Sequence, residues 1–169
     1  YYPKPKPLTF SAFLSVQNLT GIYSPFTVEA NYNQDMTPYN IPFTACHELS
    51  HLRGFMQEEE ANFIAWLACK DAPETELQYS GSMLAWIHCM NVLYEEDRAA
   101  WSEIREILSE EADIDLRANS EFWDKWDGAV AEVSEQINDN YLKANGQKDG
   151  IQSYGRMADL VVAYYLWEE

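Results

Sequence analysis

The stretch Thr44-Ala45-Cys46-His47-Glu48-Leu49-Ser50-His51-Leu52-Arg53-Gly54 constrains this chain more than any other. Two of only three histidines stand in it, four residues apart. On a helix of about 3.6 residues per turn both imidazoles leave the same face, about 5–6 Å apart at Cβ. Both can then reach one ion at roughly 2.0–2.1 Å. Glu48 lies about 100° round the helix from His47, beside such an ion without ligating it. A carboxylate there can take a proton from an attacking water. The pattern is the His-Glu-x-x-His signature. It demands a helix, with Thr44 as its expected N-cap and Gly54 placed to stop it.

Two imidazoles need a third protein ligand. Glu58, Glu59 and Glu60 open the next predicted helix, which runs through ANFIAWLACK. Their charge also suits the positive end of that helix dipole. Glu58 shares a face with Ala61, Asn62 and Ala65. The two small alanines let this helix lie close to the first, as a short Glu side chain requires. Glu58 is the expected third ligand and Glu60 its rival. Asn62, one turn on, is placed to accept a hydrogen bond from the far ring nitrogen of a histidine ligand. One Zn²⁺ is the expected cofactor.

The rest of the chain supplies the surroundings. Its 169 residues are expected to form one domain over 18–169. Residues 1–17, beginning YYPKPKP, read as an extended Pro-spaced leader and a first element. With 47% hydrophobic and 14% aromatic residues, the chain is neither disordered nor of low complexity. Eleven basic against 28 acidic residues give a net charge of −17, which argues against nucleic-acid binding and against anionic membrane surfaces. No apolar run is long enough to span a bilayer, and no signal peptide is visible. Three cysteines without a C-x-x-C pair read as free, buried thiols, with a Cys46–Cys69 bridge left open.

Residues 8–17 read as a short helix or a strand, and 18–33 as two short strands with a turn near Tyr23–Pro25. Two prolines make 34–43 a loop. Further helices are expected at about 75–95, 98–110, 119–143 and 152–167, with loops at Asp71–Pro73, near 110 and at 146–150. The architecture is α+β, mostly helical, with a small antiparallel sheet near the N-terminus. His88, in an apolar helix, reads as a core histidine. Tyr79-Ser80-Gly81 is a motif that can frame the cleft.

His47-Glu48-x-x-His51 followed by Glu58-x-x-Ala61-Asn62 resembles the gluzincin zinc peptidases, above all the CAAX-prenyl-protease/HtpX group and the BlaR/MecR sensor peptidases. EEEANFIA is similar to the ImmA/IrrE-type regulators. Together, PFTVEANYN, PFTACHELSHLRGF, EEEANFIAWLAC, YSG and SYGRM resemble an uncharacterised bacterial family of membrane-anchored HExxH proteins. The resemblance covers residues 20–166 or so. It implies a zincin-like fold and a metallopeptidase acting on a peptide or protein. It also implies an anchor upstream of this segment and a domain outside the membrane. An edge strand holding the substrate is expected at Thr27–Asn31, with Ala30 and Asn31 in contact. The oxyanion donor is expected from a later helix, where Ser153-Tyr154-Gly155-Arg156 offers Tyr154 or Arg156.

There are departures. Asn62 stands where gluzincins carry Asp, and the gap from His51 to Glu58 is short. HELSHLRGFMQE also resembles the metzincin pattern, with Gln57 where the third His would be. A catalytically inactive metal- or peptide-binding sensor is the alternative reading.

Overall fold

The computed structural model describes residues 3–144 and 156–168, which form eight helices and a three-stranded sheet. The N-terminal elements are β1 (Lys6–Pro7), α1 (Ala12–Ser15), β2 (Gly21–Ser24) and β3 (Glu29–Tyr32). Then follow α2 (Asn40–Leu52), α3 (Glu58–Lys70), α4 (Thr75–Glu96), α5 (Arg98–Glu106), α6 (Glu110–Asp124), α7 (Ala129–Ala144) and α8 (Arg156–Glu168). The α+β, mostly helical reading holds.

The sheet departs from expectation. Its order is β1-β3-β2, with β2 antiparallel to β3 and β1 parallel to it, so it is mixed rather than antiparallel. The basic leader is therefore part of the fold. Pro7 lacks an N–H, but an outer strand can present that gap outward. Leu8 N–H donates to the Tyr32 carbonyl at 2.9 Å, and Lys6 pairs with Glu29. Of the two readings for residues 8–17, the short helix α1 is the one observed. Fully buried Asn33 ties these pieces together: its side chain donates to Ser15 Oγ at 2.9 Å and accepts from Asp35 N–H at 3.0 Å.

α2 starts at Asn40, four residues before the expected cap, and Thr44 is buried inside it. Pro42 is tolerated because it occupies the first turn, whose N–H groups have no partner within the helix. Further on, Ser109 Oγ accepts from Ala112 N–H at 3.2 Å, and Glu110, Glu111 and Asp113 fill the first turn of α6. The expected loop near 110 is thus a helix start. The expected helix over 119–143 is divided, because α6 ends at Asp124 and α7 begins only after Gly128. The 146–150 loop and the first residues of the expected 152–167 helix lie outside the described residues.

The main core joins Phe43 of α2, Ala65, Trp66 and Cys69 of α3, Ala85 of α4, and Met157 and Val161 of α8. Tyr39, Met83 and Ala112 centre a second cluster. Tyr79-Ser80-Gly81 ties α4 to α6, to the start of α2 and to α3. Ser80 Oγ accepts from Phe43 N–H at 2.9 Å and donates to the Tyr39 carbonyl, while Tyr79 donates to Asp115 at 2.7 Å. A Cβ on Gly81 would fall 2.5 Å from the Cys69 Cβ, so α4 passes α3 closely there. All three cysteines are free. Among the described residues no helix is long and apolar enough to cross a membrane.

Candidate metal centre

The site is built by the way α2 ends. Gly54 has φ +100°, a conformation that L side chains rarely adopt. It allows Gly54 N–H to bond the His51 carbonyl at 3.0 Å and Phe55 N–H to bond the Ser50 carbonyl at 3.2 Å. This pair of bonds is a Schellman turn. The turn folds the Phe55 carbonyl back onto α2, where His51 Nδ1–H donates to it at 2.8 Å. A carbonyl only accepts, so the proton sits on Nδ1 and His51 Nε2 keeps its lone pair.

That lone pair faces Glu58. His51 Nε2 lies 3.5 Å from Glu58 Oε1, and His47 Nε2 lies 3.3 Å from Glu58 Oε2. The two rings are 4.6 Å apart at their centroids and nearly perpendicular, at 86°. One ligand atom from each of the three residues falls within 4.8 Å of the others. Two imidazole nitrogens and a carboxylate oxygen, all partly or wholly withdrawn from solvent, are a donor set that fits zinc. Of the three glutamates opening α3, Glu58 alone is in this group among the described residues. Glu60 is exposed. Glu59 is buried and receives Arg156 Nη1 at 3.4 Å.

A buried loose end also fits an ion. His47 Nδ1 has no hydrogen-bond partner among the described residues. Buried Asn62 is near enough to favour the charged form of that ring, though its geometry falls short of a hydrogen bond. Ligation at Nε2 would put the proton on Nδ1.

Charge in the site is shared unevenly. Burial opposes the charged form of His47, but the Glu58 contact and the Glu48 and Glu58 charges outweigh it and raise its pKa. Burial and the neighbouring His47 lower that of His51. Burial would raise Glu58, yet contact with His47 and the charge of both rings hold it below the usual carboxylate range.

Glu48 lies next to this triad at only 4% exposure, and burial pushes its carboxyl up to about 7, against the opposing charge of His47. The strand β2 covers it. A Cβ on Gly21 would stand 2.5 Å from Glu48 Oε1 and 2.9 Å from the Asn31 carbonyl, so only glycine lets the strand pass. Tyr23, two residues along β2, places its ring centroid 6.4 Å from that of His51.

The remaining expected site residues fall elsewhere. β3 is the central strand, not an edge, because the leader pairs with it through β1. Ala30 is buried, and Asn31 is opposite Ile22, on the sheet face away from Gly21 and Tyr23. Neither offers an edge to a substrate. Arg156 is engaged with Glu59. Tyr154 lies outside the described residues. His88, half-buried on α4, is not in the group. Sequence reasoning missed Gly21, Tyr23 and the Phe55 carbonyl. Gly54 followed by a bulky residue was the available signal for the last; nothing local announces the first two.

The chain belongs to the family described as "Protein of unknown function (DUF3810)", whose family model matches residues 1–162. No curated protein and no solved structure matches it.

Proposed function

We propose that this chain is a zinc-dependent metallopeptidase in which His47, His51 and Glu58 hold the ion and Glu48 is the general base. One observation carries the reading: two histidine Nε2 atoms meet the two oxygens of a single carboxylate at 3.3 and 3.5 Å, with a second carboxylate buried alongside. A bound zinc would supply Lewis acidity for attack of water on a carbonyl.

The protein's own groups do the rest. Glu48 takes a proton from the attacking water as its oxygen bonds to the scissile carbonyl carbon. It then returns that proton to the leaving nitrogen as the C–N bond breaks. Buried beside the three ligands, its carboxylate is placed for both transfers. The Phe55 carbonyl holds the His51 ring in one tautomer throughout.

The free edge of β2 is the natural dock for an extended peptide. Asn33 N–H donates to the Thr20 carbonyl at 2.8 Å, so the register makes Thr20/Asn33, Ile22/Asn31 and Ser24/Glu29 the hydrogen-bonded pairs. Gly21 and Tyr23 then turn their backbone groups to the unpaired edge, next to Glu48 and His51.

Metal analysis combined with Glu48→Gln tests the proposal. The expected result is one zinc per chain in both proteins, with cleavage of a peptide library by the wild type and a loss of several orders of magnitude in the variant. Cleavage that survives Glu48→Gln removes the mechanism. A zinc-loaded wild type that cleaves nothing assigns the centre to the sensor alternative, to which Asn62 in place of Asp also speaks.

A further inference from the structure

Hydrolysis at this centre, the reading on which the following rests, builds negative charge on the substrate carbonyl oxygen. A donor aimed at that charge, and not at the ground state, lowers the barrier. Of the two groups expected to donate, Arg156 is engaged with Glu59, and Tyr154 lies outside the described residues.

β2 brings another. Side chains alternate along a strand, so Gly21 and Tyr23 share a face. The contact of Gly21 with Glu48 identifies it as the face turned to α2. Tyr23 is half-buried there, opposite small, buried Ala30, with its ring 6.4 Å from His51 and tilted by 33°. At that separation and tilt the rings are offset rather than stacked. The phenolic O–H is a neutral donor.

We propose that Tyr23 donates its hydroxyl to the oxyanion formed when water adds to the scissile carbonyl. Its backbone faces the free edge of β2, so one residue both pairs with the substrate strand and stabilises the charge that develops on it. Docking and chemistry are thereby coupled through a single position.

Tyr23→Phe tests this, because phenylalanine keeps the ring and its packing and removes only the oxygen. The probe is methylphosphonate, a small tetrahedral oxyanion, titrated into cobalt-loaded protein and followed by visible absorption. The variant is expected to take up cobalt with unchanged stoichiometry and affinity, and to bind methylphosphonate about tenfold more weakly, as loss of one charge-assisted hydrogen bond implies. On any peptide the wild type cleaves, kcat should fall about 100- to 1000-fold with little change in KM. Equal methylphosphonate affinity overturns the assignment. So does weakened cobalt binding, which would make Tyr23 a support for the ligands. A wild type that takes up no cobalt removes the metal centre itself, whereas a cobalt-loaded pair with identical affinities removes only Tyr23.

Discussion

Glu48→Gln should stabilise the metal-free protein above neutral pH while destroying its chemistry. Glu48 is 4% exposed beneath Gly21 of β2, so its charged form has little access to water. Its carboxyl is raised from 4.5 to about 7. A group raised in the folded state contributes stability that is complete below its unfolded pKa and is lost as pH climbs through the folded one. Between about pH 4.5 and 8 this loss comes to about 3 kcal/mol, at about 1.36 kcal/mol per pH unit. Glutamine has nearly the same shape and no charge, and so is spared it. Urea unfolding in EDTA at pH 5 and pH 8 measures the difference. The variant should gain on the wild type by about 2–3 kcal/mol on going from pH 5 to pH 8. Glu58 is common to both proteins, whereas His47, whose charged form Glu48 favours, titrates together with Glu48, so the gap reads that pair. A gap that stays constant, or that narrows at high pH, would refute the argument that Glu48 is buried at its own expense.

Gly21→Ala should cost about 1–3 kcal/mol and displace Glu48. The Glu48 side chain can move, but the Asn31 carbonyl, 2.9 Å from the added Cβ, is backbone. Urea unfolding gives the cost, and zinc content should not change. At Gly54 a Cβ would meet nothing within 4 Å, so Gly54→Ala acts only through its φ of +100°. The expected loss is about 1–2 kcal/mol by denaturation, with zinc affinity down about 10–100-fold as the Phe55 carbonyl leaves His51. An alanine variant of wild-type stability would show that the turn is unstrained.

The local periodicities of this chain were easy to read, and its long-range pairings were not. His47, Glu48, His51 and Glu58 follow from helical spacing and two small residues on α3, and Gly54 from the rule for helix ends. The mostly helical α+β class follows from the same patterns. β1 was hidden because a proline-spaced dipeptide carries no strand signal; it exists only because β3, whose paired residues lie 25 positions on, offers an edge. That pairing also makes β3 central and hands the free edge to β2, which moves the substrate role from Ala30 and Asn31 to Gly21 and Tyr23. The early start of α2 was concealed by Pro42, which reads as a breaker unless it falls in a first turn. The α6–α7 break at 125–128 has no proline to mark it. Arg156 stood out as a cation near the site, but Glu59, a neighbour invisible without tertiary structure, takes it up.

Zinc content of the protein purified without chelator or added metal, compared with Glu58→Ala and Glu60→Ala, tests the central claim most directly. Native mass spectrometry should find one zinc per chain in the wild type and in Glu60→Ala, and loss of most of it in Glu58→Ala, because Glu58 reaches both histidine Nε2 atoms and Glu60 is exposed. A wild type that stays metal-free at micromolar zinc, or zinc that survives Glu58→Ala and vanishes with Glu60→Ala, would contradict the account.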